Sequence, residues 1–283
     1  MPEDSAQHIA DDPDFRARVD LPVLRDIARK FLSLADEVGH RSTEYRDDAH
    51  FDLMVLVFFS KQSEHLESLL ALTESHPSRD TALVARSMLE GLAQLLWAHQ
   101  QPEERAKRWK AYAFVADWRL LRQKDEAGER TDPHTRNFIQ EGLQRYGDLF
   151  LTKKAKLAKQ DRQPLPSDPY HETWTGKTGA ALIRETMGQR LYDVAYRHFV
   201  DWHHWNHHGI LSPLSRLDNG LAYSRHSPKT AASSLALGIS IMEETMRIAD
   251  KQLQLGISDR IDCLNEDYRR QLSHLWNKTE ENG

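Results

Sequence analysis

A single cysteine, Cys263, is all the thiol chemistry the chain offers. That excludes a disulfide framework and any zinc site built on several cysteines, and it fits a reducing, cytoplasmic compartment. Long apolar runs are missing too. The most apolar stretch, Leu53–Phe59, is far shorter than the roughly 20 residues that span a bilayer. The opening MPEDSAQHIADDPDF lacks the basic and apolar stretches of a secretory signal. No membrane association is expected. Nor is charge of one sign in excess: 38 Lys and Arg face 43 Asp and Glu, for a formal charge of -5. This balance gives no global attraction to nucleic acid, so a polyanion must be met by a local patch, and sequence-specific DNA binding is not expected. Convincing β-strand alternation, internal repeats and low-complexity segments are also absent.

What is present is helix after helix. With 39 % apolar residues in 283, the chain can bury a true core. Leu24, Ile27, Ala28, Phe31 and Ala35 form an amphipathic stripe over Leu21–Val38, with Pro22 placed as a first-turn residue. A second helix is expected over His50–Glu74. Thr81–Ala98 is apolar on most faces, which predicts a central helix capped by Ser78 or Asp80. Pro102 opens a helix expected to run unbroken to Gln123, with Trp109, Tyr112, Ala113, Ala116 and Leu120 inward. Residues 125–173 read as a charged, proline-rich excursion. Leu191–His207 reads as a further helix, Ser215–His226 as a polar loop, and Ser227-Pro228 as the cap of a long helix. The fold class is all-α: residues 1–20 form a polar arm and 21–278 a single bundle of about eight to ten helices.

Two features carry chemistry. Arg86 and Glu90 are four apart on the central helix, so they share a face and need partners there. They read either as a structural ion pair or as polar groups of a site. The second feature is YRHFVDWHHWNHHGI, Tyr196–Ile210, which holds five histidines. At 100° per residue, Leu191, Ala195, His198 and Trp202 make the core stripe. Arg197 and His204 share another face, with Asp201 and His208 beside them, while His203 and His207 lie with Tyr196. His203/His207 and His204/His208 have the i, i+4 spacing that can grip one metal ion, with Glu90, Glu243 or Glu244 as an outside ligand. Nothing in the spacing fixes that third ligand, and no cofactor is required. Alternatively, histidine acts as acid or base near neutral pH, and arginine on the same face holds a scissile phosphate. RNA supplies its own 2′-hydroxyl nucleophile, so this chemistry needs no metal. The third reading is a solvated His/Trp surface.

Two blocks resemble a known family. ARSMLEGLAQLLWAHQQPEERAKRWKAY resembles the RSxLE and dPEERAxR helices of the bacterial DUF5677 family, through Arg86, Ser87, Leu89 and Glu90. WTGKTGAALIRETMGQRLYDVAYRHFVDWHH resembles its W-S-G-K-S and LYDxxYRxLSxxVH block, through Trp174, Gly176, Lys177, Tyr192, Tyr196 and Arg197, with His204 at the family histidine. The resemblance covers about residues 50–215. Val200 replaces the family serine, and the histidine is doubled as His203-His204; only His204 lies under Arg197. That family is itself uncharacterised. Its arginine-to-histidine spacing is similar to the R-x4-6-H signature of HEPN ribonucleases, which act in toxin and phage-defence systems, often as dimers.

By that analogy the resemblance implies an HEPN-like core and a metal-independent endoribonuclease, with RNA as substrate and a homodimer as the assembly. Arg197 and His204 would be catalytic, with Arg86, Glu90, Tyr196, His203 and Asp201 in support. Lys177 and His208 would contact substrate, although Lys177 also reads as part of a loop in which Gly176 turns the chain and Trp174 packs down. The competing expectations are a non-catalytic helical interaction protein and a metal-dependent enzyme using the histidine cluster.

Overall fold

The computed structural model describes residues 13–39, 48–75, 78–197, 214–217, 220–224 and 226–281. Its order is α1 (Pro13–Gly39), α2 (His50–Ser75), α3 (Thr81–His99), α4 (Pro102–Ala111), α5 (Ala113–Glu126), α6 (Pro133–Tyr146), a 3-10 turn (Gly147–Phe150), α7 (Lys153–Gln160), α8 (Gly179–Met187) and α9 (Gln189–Leu191). A π-helical turn (Tyr192–Tyr196), two short strands, β1 (Leu214–Leu217) and β2 (Gly220–Tyr223), and helices α10 (Pro228–Leu253) and α11 (Ser258–Glu281) complete it. The chain is all-α in class.

Helix α10 is the axis of the core, with α1, α2 and α3 packed around it. Ser227 caps it, accepting from the Thr230 N–H at 3.3 Å, and Pro228 fills the first position, whose N–H would have no partner. Leu235, Ile239, Met242, Met246 and Ala249 recur at helical spacing and are all buried. Each large apolar side chain sealed this way contributes about 1.5–3 kcal/mol. Gln254, in the left-handed conformation, ends α10, and α11 returns along α1. Asp250 ties this turn together by accepting from the Ile257 N–H at 2.9 Å and from the Ser258 hydroxyl.

The structure corrects several expectations. Pro22 lies inside α1, not at its start, because Leu21 and Leu24 on either side are held in the core. The Pro102 helix breaks at Tyr112, whose N–H is shared between the carbonyls of Arg108 and Trp109. Beyond the break Ala113, Ala116 and Leu120 face solvent, and Val115 turns inward instead. Val115 joins Ala111 and Phe150 in a separate apolar cluster, so α5 packs on the 3-10 turn rather than on the main core. The charged excursion, expected to be less regular but helical over 125–160, does carry helices α6 and α7. The loop expected at Ser215–His226 contains an antiparallel hairpin, with Leu214 opposite Tyr223 and Leu217 opposite Gly220.

Candidate functional site

The polar cluster grows from the exposed edge of α3. Arg86 and Glu90 are one turn apart, and Arg86 Nε donates to Glu90 Oε1 at 3.0 Å. Both side chains are half-buried, at 17 % and 33 % exposure, so neither is sealed in the core nor freely solvated. Tyr196 comes to them from the π turn. Its hydroxyl donates to Glu90 Oε1 at 2.9 Å and accepts from Arg86 Nη2 at 3.4 Å. The guanidinium carbon lies 5.3 Å from the centre of the Tyr196 ring. Three residues from the two separated motif blocks thus form one closed triangle.

The surroundings fix it. Gly179, the first residue of α8, is packed so closely that a Cβ there would lie 3.2 Å from Glu90 Oε1 and 3.3 Å from the Tyr196 hydroxyl. Burial pushes the Tyr196 phenol above its ordinary pKa, the negative charge of Glu90 adds to this, and Arg86 opposes it. The phenol therefore stays protonated and keeps donating. Arg86 Nη1 is buried and has no hydrogen-bond partner among the described residues.

The π turn is the local device that presents Arg197. The Arg197 N–H bonds to the Tyr192 carbonyl, five residues back rather than four. This extra residue changes the phasing: the expected core stripe ran through Ala195, but Tyr196 is the buried residue and Ala195 is only half-buried. Such turns recur at functional sites because they re-aim the side chains that follow. The Arg197 side chain is 68 % exposed, and Asp193 stands 3.9 Å from it.

Lys177 is engaged elsewhere. It pairs with Glu185, and its ammonium sits 5.6 Å from the Trp97 ring. Gly176, at φ +70°, turns the loop, and Trp174 packs edge-on against Trp97 with centroids 5.2 Å apart. Trp174 Nε1 donates to Gln94 Oε1 at 2.6 Å. The structure thus joins Arg86, Glu90 and Tyr196, places Arg197 beside them facing outward, and leaves Lys177 in an ion pair of its own. Asp201, His203, His204, His207 and His208 lie outside the described residues. Of the outside metal ligands considered, Glu243 accepts from Arg247 Nε at 3.0 Å and Glu90 belongs to the triangle. Among the described residues no group of three or more His, Cys, Asp or Glu is arranged to hold a metal ion.

A feature not foreseen from sequence adjoins the triangle. Between α2, α3 and α4 lies an open groove of about 320 Å³, lined by Phe58, Gln62, His65, Ser87, Glu90 and Trp109 among others. His65 Nε2 and Ser87 Oγ are 3.2 Å apart. Burial lowers the His65 pKa below its ordinary value, Lys61 lowers it further, and Glu64 opposes, so the ring is neutral at pH 7. Ser87 was visible in the motif around Arg86 and Trp109 in the inner stripe of the Pro102 helix, but nothing in the sequence placed His65 beside them.

The family model for DUF5677, a family of unknown function, matches residues 52–221, which span both α3 and the π turn. No curated protein and no solved structure matches the chain.

Proposed function

The chain belongs to the DUF5677 family, and from that premise we propose that it is a metal-independent, HEPN-like endoribonuclease of the toxin or phage-defence type. The observation that carries the reading is the contrast at Tyr196-Arg197. Tyr196 is locked by two hydrogen bonds, while the adjacent guanidinium stands in solvent with one distant carboxylate. A held backbone with an open cation is what phosphate binding requires, because little ordering is left to do when the anion arrives.

In the proposed mechanism His204 removes the proton of an RNA 2′-hydroxyl. The 2′-oxygen attacks the adjacent phosphorus, and Arg197 stabilises the negative charge on the phosphoryl oxygens. The P–O5′ bond breaks, a protonated imidazole returns a proton to the leaving 5′-oxygen, and the products are a 2′,3′-cyclic phosphate and a 5′-hydroxyl. A homodimer would bring a second histidine to serve as that acid. Arg86 and Glu90 act through Tyr196 and are positioning residues.

The test is RNA cleavage in excess chelator. Wild-type protein is expected to produce 2′,3′-cyclic termini, and Arg197→Ala and His204→Ala to lose at least a hundredfold in rate. Full activity in both variants, or cleavage that vanishes with chelator, refutes the reading.

One observation favours the alternative of a protein-interaction role. Leu120, Phe138, Leu149, Leu157 and Leu165 are all exposed along the segment after Tyr112. Exposed apolar side chains concentrated in one segment are what a partner surface would cover. A stable complex formed through this segment, with no turnover of RNA, decides for that role.

A further inference from the structure

The groove beside the triangle has a composition that selects its ligand. One wall is aromatic: the Phe58 and Trp109 rings meet edge to face at 6.0 Å. The other wall is polar and mixed in character. His65, neutral at pH 7, and Ser87 can each donate or accept. Gln94 spends its carbonyl oxygen on Trp174, which leaves its amide N–H groups as donors. Glu90 adds carboxylate acceptors.

The base of the groove is built rather than incidental. Gly91 lies there, and a Cβ at that position would come within 2.9 Å of Gln62 Nε2. Gln62 is 2 % exposed and reaches across from α2 to donate to the Met88 carbonyl at 2.9 Å. Its Oε1 is buried and has no hydrogen-bond partner among the described residues. A buried acceptor without a donor is unfavourable, and a ligand N–H that reached it would relieve it. About 320 Å³ is at the small end of ligand sites.

A flat ring with an apolar face and an edge of alternating donors and acceptors matches these walls. From this we infer that the groove between α2, α3 and α4 binds a nucleobase, stacked toward Phe58 and Trp109 and read at its edge by His65, Ser87, Glu90 and Gln94. Proteins that take unpaired bases use this combination of an aromatic face and polar edge groups. Glu90 borders the groove and also accepts from Tyr196, the neighbour of Arg197. Glu90 thus links the groove to the turn that carries Arg197. Assigning RNA as the source of the base rests on the ribonuclease reading; the groove's chemistry does not.

The experiment uses the full chain and the four 5′-mononucleotides. Saturation-transfer NMR on wild type reads which ligand protons touch protein, and calorimetry reads affinity. Base protons are expected to receive more saturation than ribose protons for at least one nucleotide. Ser87→Phe is expected to weaken that nucleotide at least tenfold, because the exposed position fills the groove without entering the core; circular dichroism confirms its fold. Leu83→Ser, on the same helix outside the groove, is the unchanged control. No binding at millimolar nucleotide, saturation confined to ribose, or affinity indifferent to Ser87→Phe overturns the inference. The wild-type NMR arm stands even if Ser87→Phe misfolds. Base binding without any RNA cleavage refutes the ribonuclease reading and keeps the groove. Cleavage without base binding does the reverse.

Discussion

Replacing Tyr196 with phenylalanine tests the triangle most directly, because the ring and its packing are kept and only the hydroxyl is removed. The residue is 7 % exposed, so water does not replace the lost partner freely. Two bonds disappear, one to Glu90 at 2.9 Å and one from Arg86 at 3.4 Å. A hydrogen bond to a charged group contributes about 1.5–3 kcal/mol, but Arg86 still pairs with Glu90 in the variant, so the expected loss is about 1–2 kcal/mol. Unfolding entropy of about 2.1 cal/mol/K per residue over 283 residues converts this to a fall in Tm of about 2–3 °C.

There is also a pH signature. The folded-state pKa of Tyr196 is raised, so its contribution is fully present below the unfolded value of about 10 and is lost as pH rises through the higher folded value. Phenylalanine has no such ionisation. The stability gap between wild type and Tyr196→Phe should therefore be constant from pH 7 to 9 and narrow above about pH 10. Calorimetry across that range gives both numbers. An unchanged Tm together with parallel alkaline profiles would refute the idea that the hydroxyl holds the cluster.

Other outcomes follow from the same geometry. Gly179→Ala should destabilise the protein by about 1 kcal/mol despite alanine's better helix propensity, since the oxygens it meets are locked to each other. In the Tyr196→Phe background that penalty should shrink; equal penalties in the two backgrounds would rule out the contact. Asp250→Ala should cost about 2–4 kcal/mol by removing the acceptor for Ile257 and Ser258, read by denaturant unfolding. Burial acts to raise the Asp250 pKa, but hydrogen bonds from Ser258, Ile257 and neighbouring backbone outweigh it and the net shift is downward. Its contribution is thus present above about pH 4 and lost as pH falls through the depressed folded value, and Asp250→Asn should flatten that acid limb. His65 should titrate by NMR with a midpoint below the ordinary value of about 6.5, and a midpoint at or above it would count against the half-buried pocket.

Helical periodicity made the core legible. The α10 stripe from Leu235 to Ala249, and the Ser227-Pro228 cap, are local properties of consecutive residues, and they stand as expected. Phase errors arose where tertiary contacts rotate a helix. The shift of α5 at Tyr112 depends on Phe150, far along the chain, which gives Val115 an apolar cluster of its own. At the site, the Arg86–Glu90 pairing was readable from i, i+4 spacing, and Tyr196 was singled out as a supporting residue. That Tyr196, rather than Arg197, closes the triangle was not readable, because uniform 100° phasing cannot show a π turn. The groove was invisible for a similar reason: His65, Ser87 and Trp109 come from three helices and share no periodic relation.

The π turn also gives the site a tolerance to length that a regular helix lacks. Removing one residue between Tyr192 and Tyr196 would let an ordinary α-helix form, a locally relaxed outcome. The Arg197 N–H would then stand four residues from Tyr192 and meet the same carbonyl it bonds in the intact chain. A residue removed from a regular stretch such as α3 would instead turn everything beyond it by about 100°. The turn thus holds a spare residue, and its loss can leave Tyr196 and Arg197 near their present bearings.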